Sequence, residues 1–441
     1  MNLNKLYIYL FCVLGFTTLK SQELLTKNEA VSLALEQNFG IKIAENNVEI
    51  ANNNAGILNS GYLPSLNAQA GSNYNIQDRL TEVEGEDPLD QNDLESESYN
   101  ASLNLNYTLF DGLGRYYNYK RLKEEYNLSE LQARETIENT LIQLFSVYYE
   151  VARQTENVSV LEQTLSLSKD RLTRVEYLFD YGQVNKLQVL NADVDISTDS
   201  INLINEIQNL ENSKRDLKVL LNEDFSRAFV VDTNVVFTPM LKIEKFVEDY
   251  EINNVSLLQI EKNLELSAYD QKISKTGYLP TIDLVGSYGW NRNISPESPF
   301  FPGSTQTSNT LSAGISLNWN IFDAGQTAVR IQNAKINYEN QEIQKNQIQN
   351  SVNRDIQNAL NNYKTRLYIY NLQEKNVQTN QNNFQRTENR FELGQITSVE
   401  FRQAQINLQN AKTSYNLAKY DAKLAELQLL QLTGQLLNIE F

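Results

Sequence analysis

Tyr99-Asn100-Ala101-Ser102-Leu103-Asn104-Leu105-Asn106-Tyr107-Thr108-Leu109 decides the fold. Odd positions are apolar or aromatic; even positions are small, hydrogen-bonding and uncharged. A period of two marks a strand whose faces meet different environments. The run is about 11 residues long, which is what a tilted strand needs to cross a bilayer. Three more segments repeat the pattern. Leu66, Ala68, Ala70, Tyr74 and Ile76 alternate with Asn67, Gln69, Asn73 and Asn75. Ile282, Leu284, Tyr288 and Trp290 stand against Asp283, Ser287 and Asn291, and Leu311, Ala313, Ile315, Leu317, Trp319 and Ile321 against Ser312, Ser316, Asn318 and Asn320. An apolar face with aromatics near its ends, opposite a polar and mostly uncharged one, is the pattern of an outer-membrane strand. A soluble sheet packed on a core alternates the same way, but the neighbouring segments read as long helices with stripes of their own.

These strands belong to a duplicated chain. Gly61-Tyr62-Leu63-Pro64 returns as Gly277-Tyr278-Leu279-Pro280, Leu109-Phe110-Asp111-Gly112 as Ile321-Phe322-Asp323-Ala324, and Phe179-Asp180-Tyr181-Gly182-Gln183-Val184 as Phe391-Glu392-Leu393-Gly394-Gln395-Ile396. The order is preserved and the offsets are nearly equal, so the chain divides into repeats over 22–235 and 236–441. Thr26-Lys27-Asn28-Glu29 predicts a capping box at the first helix. A second helix is expected over about 41–60, ending before Pro64 because the residue preceding proline avoids helical backbone. Asp111 and Asp323 are the expected N-caps of long helices over about 112–179 and 324–391.

The first long helix carries the stripe Leu141, Leu144, Tyr148, Val151, Val158, Leu161, Leu165, Leu172, Val175 and Phe179, with Thr155 and Ser168 as polar interruptions. The second carries Val352, Ile356, Ala359, Tyr363, Leu367 and Tyr370. Steps of three and four resemble a coiled-coil seam. Gly182 and Gly394 are placed to end these helices in left-handed caps, and return helices follow over about 184–221 and 396–433. At ~1.5 Å per residue the long helices span ~102 Å. The return helix (~57 Å) and the helix before the strands (~30 Å) together nearly match that length.

Composition narrows the function. Lys5 followed by the apolar run 6–19 and the small Ser21 reads as a signal peptide over 1–21, cleaved near Ser21–Gln22. Cys12, the only cysteine, falls inside that run, and the chain has no histidine. The mature protein therefore lacks thiol nucleophiles, histidine bases, disulfides and the ligands of most zinc or copper sites. No catalytic residue, metal site or cofactor is expected. Asp193 and Asp195, two apart on a helix, do not face each other. A formal charge of −17 has the wrong sign for nucleic acid. It fits both solubility in an exported protein and an acidic, cation-favouring lumen. The segments joining the strands, about 77–98 and 293–309, read as outward-facing loops; the first is strongly acidic (Glu82, Glu84, Glu86, Asp87, Asp90, Asp93, Glu95, Glu97), and the second has Pro296, Pro299 and Pro302 around Phe300 and Phe301.

Four strands cannot close a barrel, and open strand edges are not tolerated in lipid. Spanning strands thus require oligomerisation. Two copies give eight strands, whose interior side chains would fill, while three give twelve and leave a lumen.

The duplicated order of helix, two strands, long helix, tip and return helix, with the Gly-Tyr-Leu-Pro approach to the strands and Gly-Gln-[Val/Ile] tips, resembles the TolC family of outer-membrane efflux proteins. The resemblance covers nearly the whole mature chain. It implies an α+β membrane protein: a homotrimer whose 12-stranded β-barrel sits in outer-membrane lipid and continues into a periplasmic α-helical barrel. It implies a passive exit duct of a tripartite efflux or type I secretion system, with a periplasmic adaptor and an inner-membrane transporter as partners. By position, Tyr181, Gly182, Gln183, Val184, Leu393, Gly394, Gln395 and Ile396 would be adaptor-docking tips. Family members ring the periplasmic mouth with two acidic residues after the second tip; Glu400 matches the first position, but Gln403 stands at the second. Glu392 is a weaker candidate for the mouth. The alternative is a non-conducting periplasmic coiled-coil scaffold, which needs the helices but not four bilayer-length strands.

Overall fold

The computed structural model describes residues 23–85, 87–297 and 302–439. The leader with Cys12, and Glu86, Pro299, Phe300, Phe301 and Phe441, lie outside them. In chain order the elements are β1 (Glu23–Leu25), α1 (Lys27–Gln37), α2 (Phe39–Ala55), β2 (Ser65–Thr81), β3 (Leu89–Phe110), α3 (Gly114–Asp180) and α4 (Lys186–Leu221). There follow β4 (Phe229–Val231), α5 (Met240–Glu248), α6 (Val255–Lys275), β5 (Thr281–Ser295), β6 (Ser304–Asn318), α7 (Gln326–Glu392) and α8 (Ser398–Leu432). Helix pair, strand hairpin, long helix and return helix thus occur twice. Among the described residues no helix is long and apolar enough to cross a membrane. Two compact units are formed, one by Val48–Glu130 with Ile260–Asn346 and the other by the remaining described residues.

The first unit holds an antiparallel sheet of order β2-β3-β5-β6, so its central pair joins one hairpin from each repeat. β2 and β6 each have a single neighbour. The register keeps the faces pure. Ala68, Leu103, Tyr288 and Leu311 form one row across the sheet, and Asn67, Asn104, Ser287 and Ser312 the next, on the opposite face. In the polar row the Ser287 and Ser312 hydroxyls lie 2.7 Å apart. The apolar face stays uncovered: Leu311 is 80% and Ile315 70% exposed. Large exposed apolar surface of this kind marks contact with another molecule or with lipid, which argues against the soluble-sheet reading.

Several boundaries differ from expectation. The strands run 17, 22, 15 and 15 residues, so the acidic stretch is mostly strand rather than loop. Glu97 pairs with Tyr74 and Glu95 with Ile76, and the ladder continues to Leu89 past a bulge at Asp93, whose amide donates to Asp78 (2.9 Å). Period-two pairing carries the hairpin beyond the apolar band because charged side chains are compatible with a solvated ladder. β6 ends at Asn318, which leaves Trp319 and Ile321 outside the strand. The Trp319 indole N–H donates instead to the Tyr278 carbonyl (3.2 Å).

Asp111 and Asp323 cap the long helices from further back than an N-cap position. Each is followed by two left-handed residues, Gly112 and Leu113 or Ala324 and Gly325. A tight turn forms there, the Gly114 amide donating to the Asp111 carbonyl (3.3 Å) and the Gln326 amide to the Asp323 carbonyl (3.2 Å), and the carboxylate reaches the amide four residues on, Arg115 (2.8 Å) or Thr327 (2.7 Å). These bonds satisfy N–H groups that the first helical turn leaves orphaned. Hydrogen bonds from the Thr327 side chain and backbone hold the Asp323 carboxyl below its ordinary range. Gly112 is also needed for space, since a Cβ would stand 2.8 Å from the Leu279 side chain.

In the second unit the stripe of α3 (Leu141, Leu144, Tyr148, Val151) is buried with Leu217 and Leu221 of α4, Tyr363 of α7 and Leu427 and Leu430 of α8. β1 and β4 pair in parallel beside it. The Tyr148 hydroxyl bridges them, donating to the Leu25 carbonyl (2.7 Å) and accepting from the Asp232 amide (2.9 Å). Two expectations are corrected here. The helix expected over 41–60 runs Phe39–Ala55, then a separate turn at Ile57–Asn59 after Gly56. Only half of the first capping box forms: Thr26 accepts from the Glu29 amide, but the Glu29 carboxylate turns to Arg227 (2.9 Å).

Candidate functional site

Both helical hairpins of the second unit turn at their glycines in the same way. After α3, Gly182 takes φ +72° and its amide donates to the Phe179 carbonyl, while Gln183 donates to Leu178 (both 2.8 Å). After α7, Gly394 takes φ +70°; its amide donates to Phe391 (3.0 Å) and that of Gln395 to Arg390 (2.9 Å). This pair of bonds is the Schellman closure, and its left-handed residue favours glycine. Asn185 then caps α4 through the Gln188 amide.

One apolar cluster lies under both tips. Val175, Val189, Phe384, Phe391, Phe401, Ala404 and Leu408 are buried together, and Val184 and Ile396 pack against them. Phe391 and Phe401 stack at 4.7 Å. The aliphatic residue in each Gly-Gln-[Val/Ile] tip thus anchors the turn to a core shared by the repeats. The other side of the tips is exposed: Tyr181, Leu187, Leu393 and Val399 all face solvent. Phe179, expected in the seam, is half exposed under the Lys186 ammonium. Arg174 ties the tips together, donating to the Glu392 carbonyl with its guanidinium over the Phe391 ring.

Further along the hairpins the seam turns polar. Ser168, read from sequence as an interruption, is fully buried with Thr164, Arg171, Asp199 and Gln405. Asp199 of α4 receives two parallel bonds of 2.7 Å from the Arg402 guanidinium of α8 and a third, of 2.6 Å, from the Ser168 hydroxyl of α3. Gln405 donates to the Thr164 carbonyl (2.8 Å) and to Ser168 (3.0 Å). Arg171 pairs with Asp195, which also lies 3.6 Å from Arg402. Bidentate guanidinium–carboxylate pairs are strong and directional. This one connects a hairpin of the first repeat to a hairpin of the second. Sequence reading missed it. The available signal was the placement of Ser168, Asp199 and Gln405 at seam positions of three different helices.

The two residues expected at the mouth share one exposed groove with Arg390, Thr387 and Asn407. Glu400 is the third residue of α8 and completes a capping box with Thr397: the Glu400 amide donates to the Thr397 hydroxyl (3.2 Å), and the Thr397 amide to the Glu400 carboxylate (2.8 Å). Donation from the Thr397 amide and from the Thr397 hydroxyl (2.9 Å) holds the Glu400 carboxyl below its ordinary range, with a smaller contribution from Arg390. Gln403 donates to Asn407 (2.9 Å). The groove therefore carries one charge of each sign, and its carboxylate is already engaged.

The arrangement can be set beside known proteins. The family model described as "Outer membrane efflux protein" matches residues 30–223 and 247–435, one stretch in each repeat. The outer membrane protein TolC of Vibrio cholerae is 22% identical over 379 residues, covering 86% of this chain and 83% of the relative. The proteases secretion protein PrtF of Dickeya chrysanthemi is 21% identical, covering 70% and 67%. In structure, the Campylobacter jejuni CmeC outer membrane channel superposes with a TM-score of 0.73 at 18% identity, covering 93% of this chain and 86% of that one. With both repeats matched in order across most of its length, the chain belongs to the outer membrane efflux protein family.

Proposed function

We propose that three copies of this outer-membrane protein close into a passive exit duct for an efflux or type I secretion system. The observation that carries the reading is the four-stranded sheet. Among the described residues it has an uncovered apolar face, a polar and almost uncharged face, and two unpaired edges. In lipid those edges must pair, and a second and third copy supply β2-to-β6 contacts until twelve strands close around a lumen. The halves 22–235 and 236–441 act as the two structural repeats. The exposed tip residues Tyr181, Gln183, Leu393 and Gln395 dock a periplasmic adaptor, with Gly182 and Gly394 setting the turns and Val184 and Ile396 anchoring them. Glu400 and Gln403 border the periplasmic mouth. An inner-membrane transporter supplies the energy, and the duct itself carries out no chemistry.

The test is to purify the chain in detergent, determine its mass and insert it into planar bilayers. A trimer with stepwise ion conductance is expected. A stable monomer, or a trimer that never conducts even with Glu400 replaced by Ala, would refute the duct and favour the scaffold. Cysteine pairs across the β2 and β6 edges should cross-link between copies.

A further inference from the structure

The polar face of the sheet is almost free of charge. Across the stretches in register, 65–77, 94–108, 281–295 and 304–318, it presents Asn, Ser, Gln, Thr and Gly, with Leu94 and Val285 as apolar exceptions. Among these described residues Asp283 is the single ionisable side chain on that face. Glu95, Glu97 and Arg292 share rows with Ile76, Tyr74 and Tyr99 and so lie on the other face. The Thr108 hydroxyl donates to one Asp283 carboxylate oxygen (2.6 Å), which confirms that the two share a face. Asp283 is the third residue of β5, and Thr108 stands close to the end of β3. Both are thus at the helix-side end of the sheet.

We infer that Asp283 sets the charge preference of the barrel segment, three copies forming a ring of carboxylates that favours cations over anions where the barrel meets the helical tunnel. The inference rests on the trimeric duct proposed above. Amides and hydroxyls solvate both signs of ion, so the rest of the wall discriminates little. A twelve-stranded barrel places such side chains about 10 Å from its axis. Three unit charges at that distance in water enrich cations on the axis roughly fourfold at 0.01 M salt, where the Debye length is about 30 Å. At 1 M, with a Debye length of about 3 Å, the enrichment vanishes. Thr108 holds one oxygen, which fixes the carboxylate's position.

The test is the potassium-to-chloride permeability ratio, read from reversal potentials across a dilute KCl gradient. Anions are depleted by the same factor, so Asp283→Asn, nearly isosteric and still able to meet Thr108, should lower the ratio by about the square of fourfold, roughly sixteenfold, at 0.01 M and leave it unchanged at 1 M. Asp283→Asn with Ser287→Asp moves the charge two positions along the same face, past Val285, and should restore the ratio. Asp283→Lys should reverse the preference. As a second measurement, single cysteines are placed at 283 and 284 in the mature chain, which has none of its own. A water-soluble charged thiol reagent added from outside should label position 283 and spare position 284. A conducting trimer whose ratio is the same in wild type and Asp283→Asn overturns the inference and leaves the duct intact, as does labelling confined to position 284. Loss of all conductance in the wild type refutes the duct itself.

Discussion

Replacing Arg402 by Met tests whether the buried ion pair holds the two hairpins together. Asp199 is 3% exposed and receives two guanidinium bonds of 2.7 Å and one from Ser168. Methionine fills the space of the Arg402 stem but leaves the carboxylate with one neutral donor. A charge-assisted bond contributes ~1.5–3 kcal/mol, and removing one partner of a buried pair costs ~3–5 kcal/mol because the other charge stays buried. At about 1.4 kcal/mol per decade, local separation of α4 and α8 should become about two to three and a half decades more frequent. Hydrogen exchange followed by mass spectrometry reads this in peptides covering 160–175, 192–203 and 400–410, against unchanged peptides over 141–152. Adding Asp199→Leu removes the stranded charge, and the double variant should recover most of the lost protection. The reasoning fails if Arg402→Met exchanges like wild type, or if the double variant exchanges as fast as the single one.

Other outcomes follow from the same geometry. Gly434 has φ +68°, and a Cβ there would lie 2.1 Å from the Asn253 carbonyl; Gly434→Ala should cost several kcal/mol, on the order of an overpacked core site, and depress folded yield. Gly182→Ala and Gly394→Ala meet no atom within 4 Å and should cost only the left-handed backbone, about 1–2 kcal/mol each, seen as faster exchange at that tip alone. The Glu400 carboxyl is held below its usual value by Thr397, so its contribution to the α8 cap is complete above the ordinary carboxylate range. That contribution is lost as pH falls through the lower, folded value. Exchange at 397–401 should rise at acid pH in wild type but not in Glu400→Gln, after correction for intrinsic rates.

Much of this architecture was legible because it rests on periodicity and punctuation. Alternation in 99–109 gave the strand, and Gly182 and Gly394 gave the tips, since few residues other than glycine enter left-handed backbone cheaply. Strand ends are harder to place, because the acidity of Asp90 to Glu97 suggests a loop although the pairing continues past a bulge at Asp93. The caps at Asp111 and Asp323 were displaced by the left-handed pairs that follow them, and Leu113 and Ala324 give no local sign of that backbone. The polar cluster stayed hidden for a different reason. Ser168 alone is a blemish in an apolar stripe, and its partners Asp199 and Arg402 are 31 and 234 residues away in sequence. Only tertiary contact converts three unrelated polar residues into one network.

That network also bears on how the proposed duct opens. Helices sealed by a continuous apolar seam resist separation, because each Leu exposed to water costs ~1.5–3 kcal/mol. A buried ion pair behaves differently: much of its Coulomb attraction is spent on desolvation, and both ions regain water when the helices part. Placing Ser168, Asp199, Arg402 and Gln405 beside the tips therefore fixes the register of the two hairpins without making their separation expensive. Apolar replacement of the layer should show the difference. Ser168→Ala, Asp199→Leu, Arg402→Met and Gln405→Leu together retain volume and continue the cluster around Phe401. The variant should exchange hydrogen more slowly in 160–175 and 400–410 while its trimer conducts less often in planar bilayers. A variant that is equally or more protected yet opens as readily as wild type would mean that the polar layer has no part in opening.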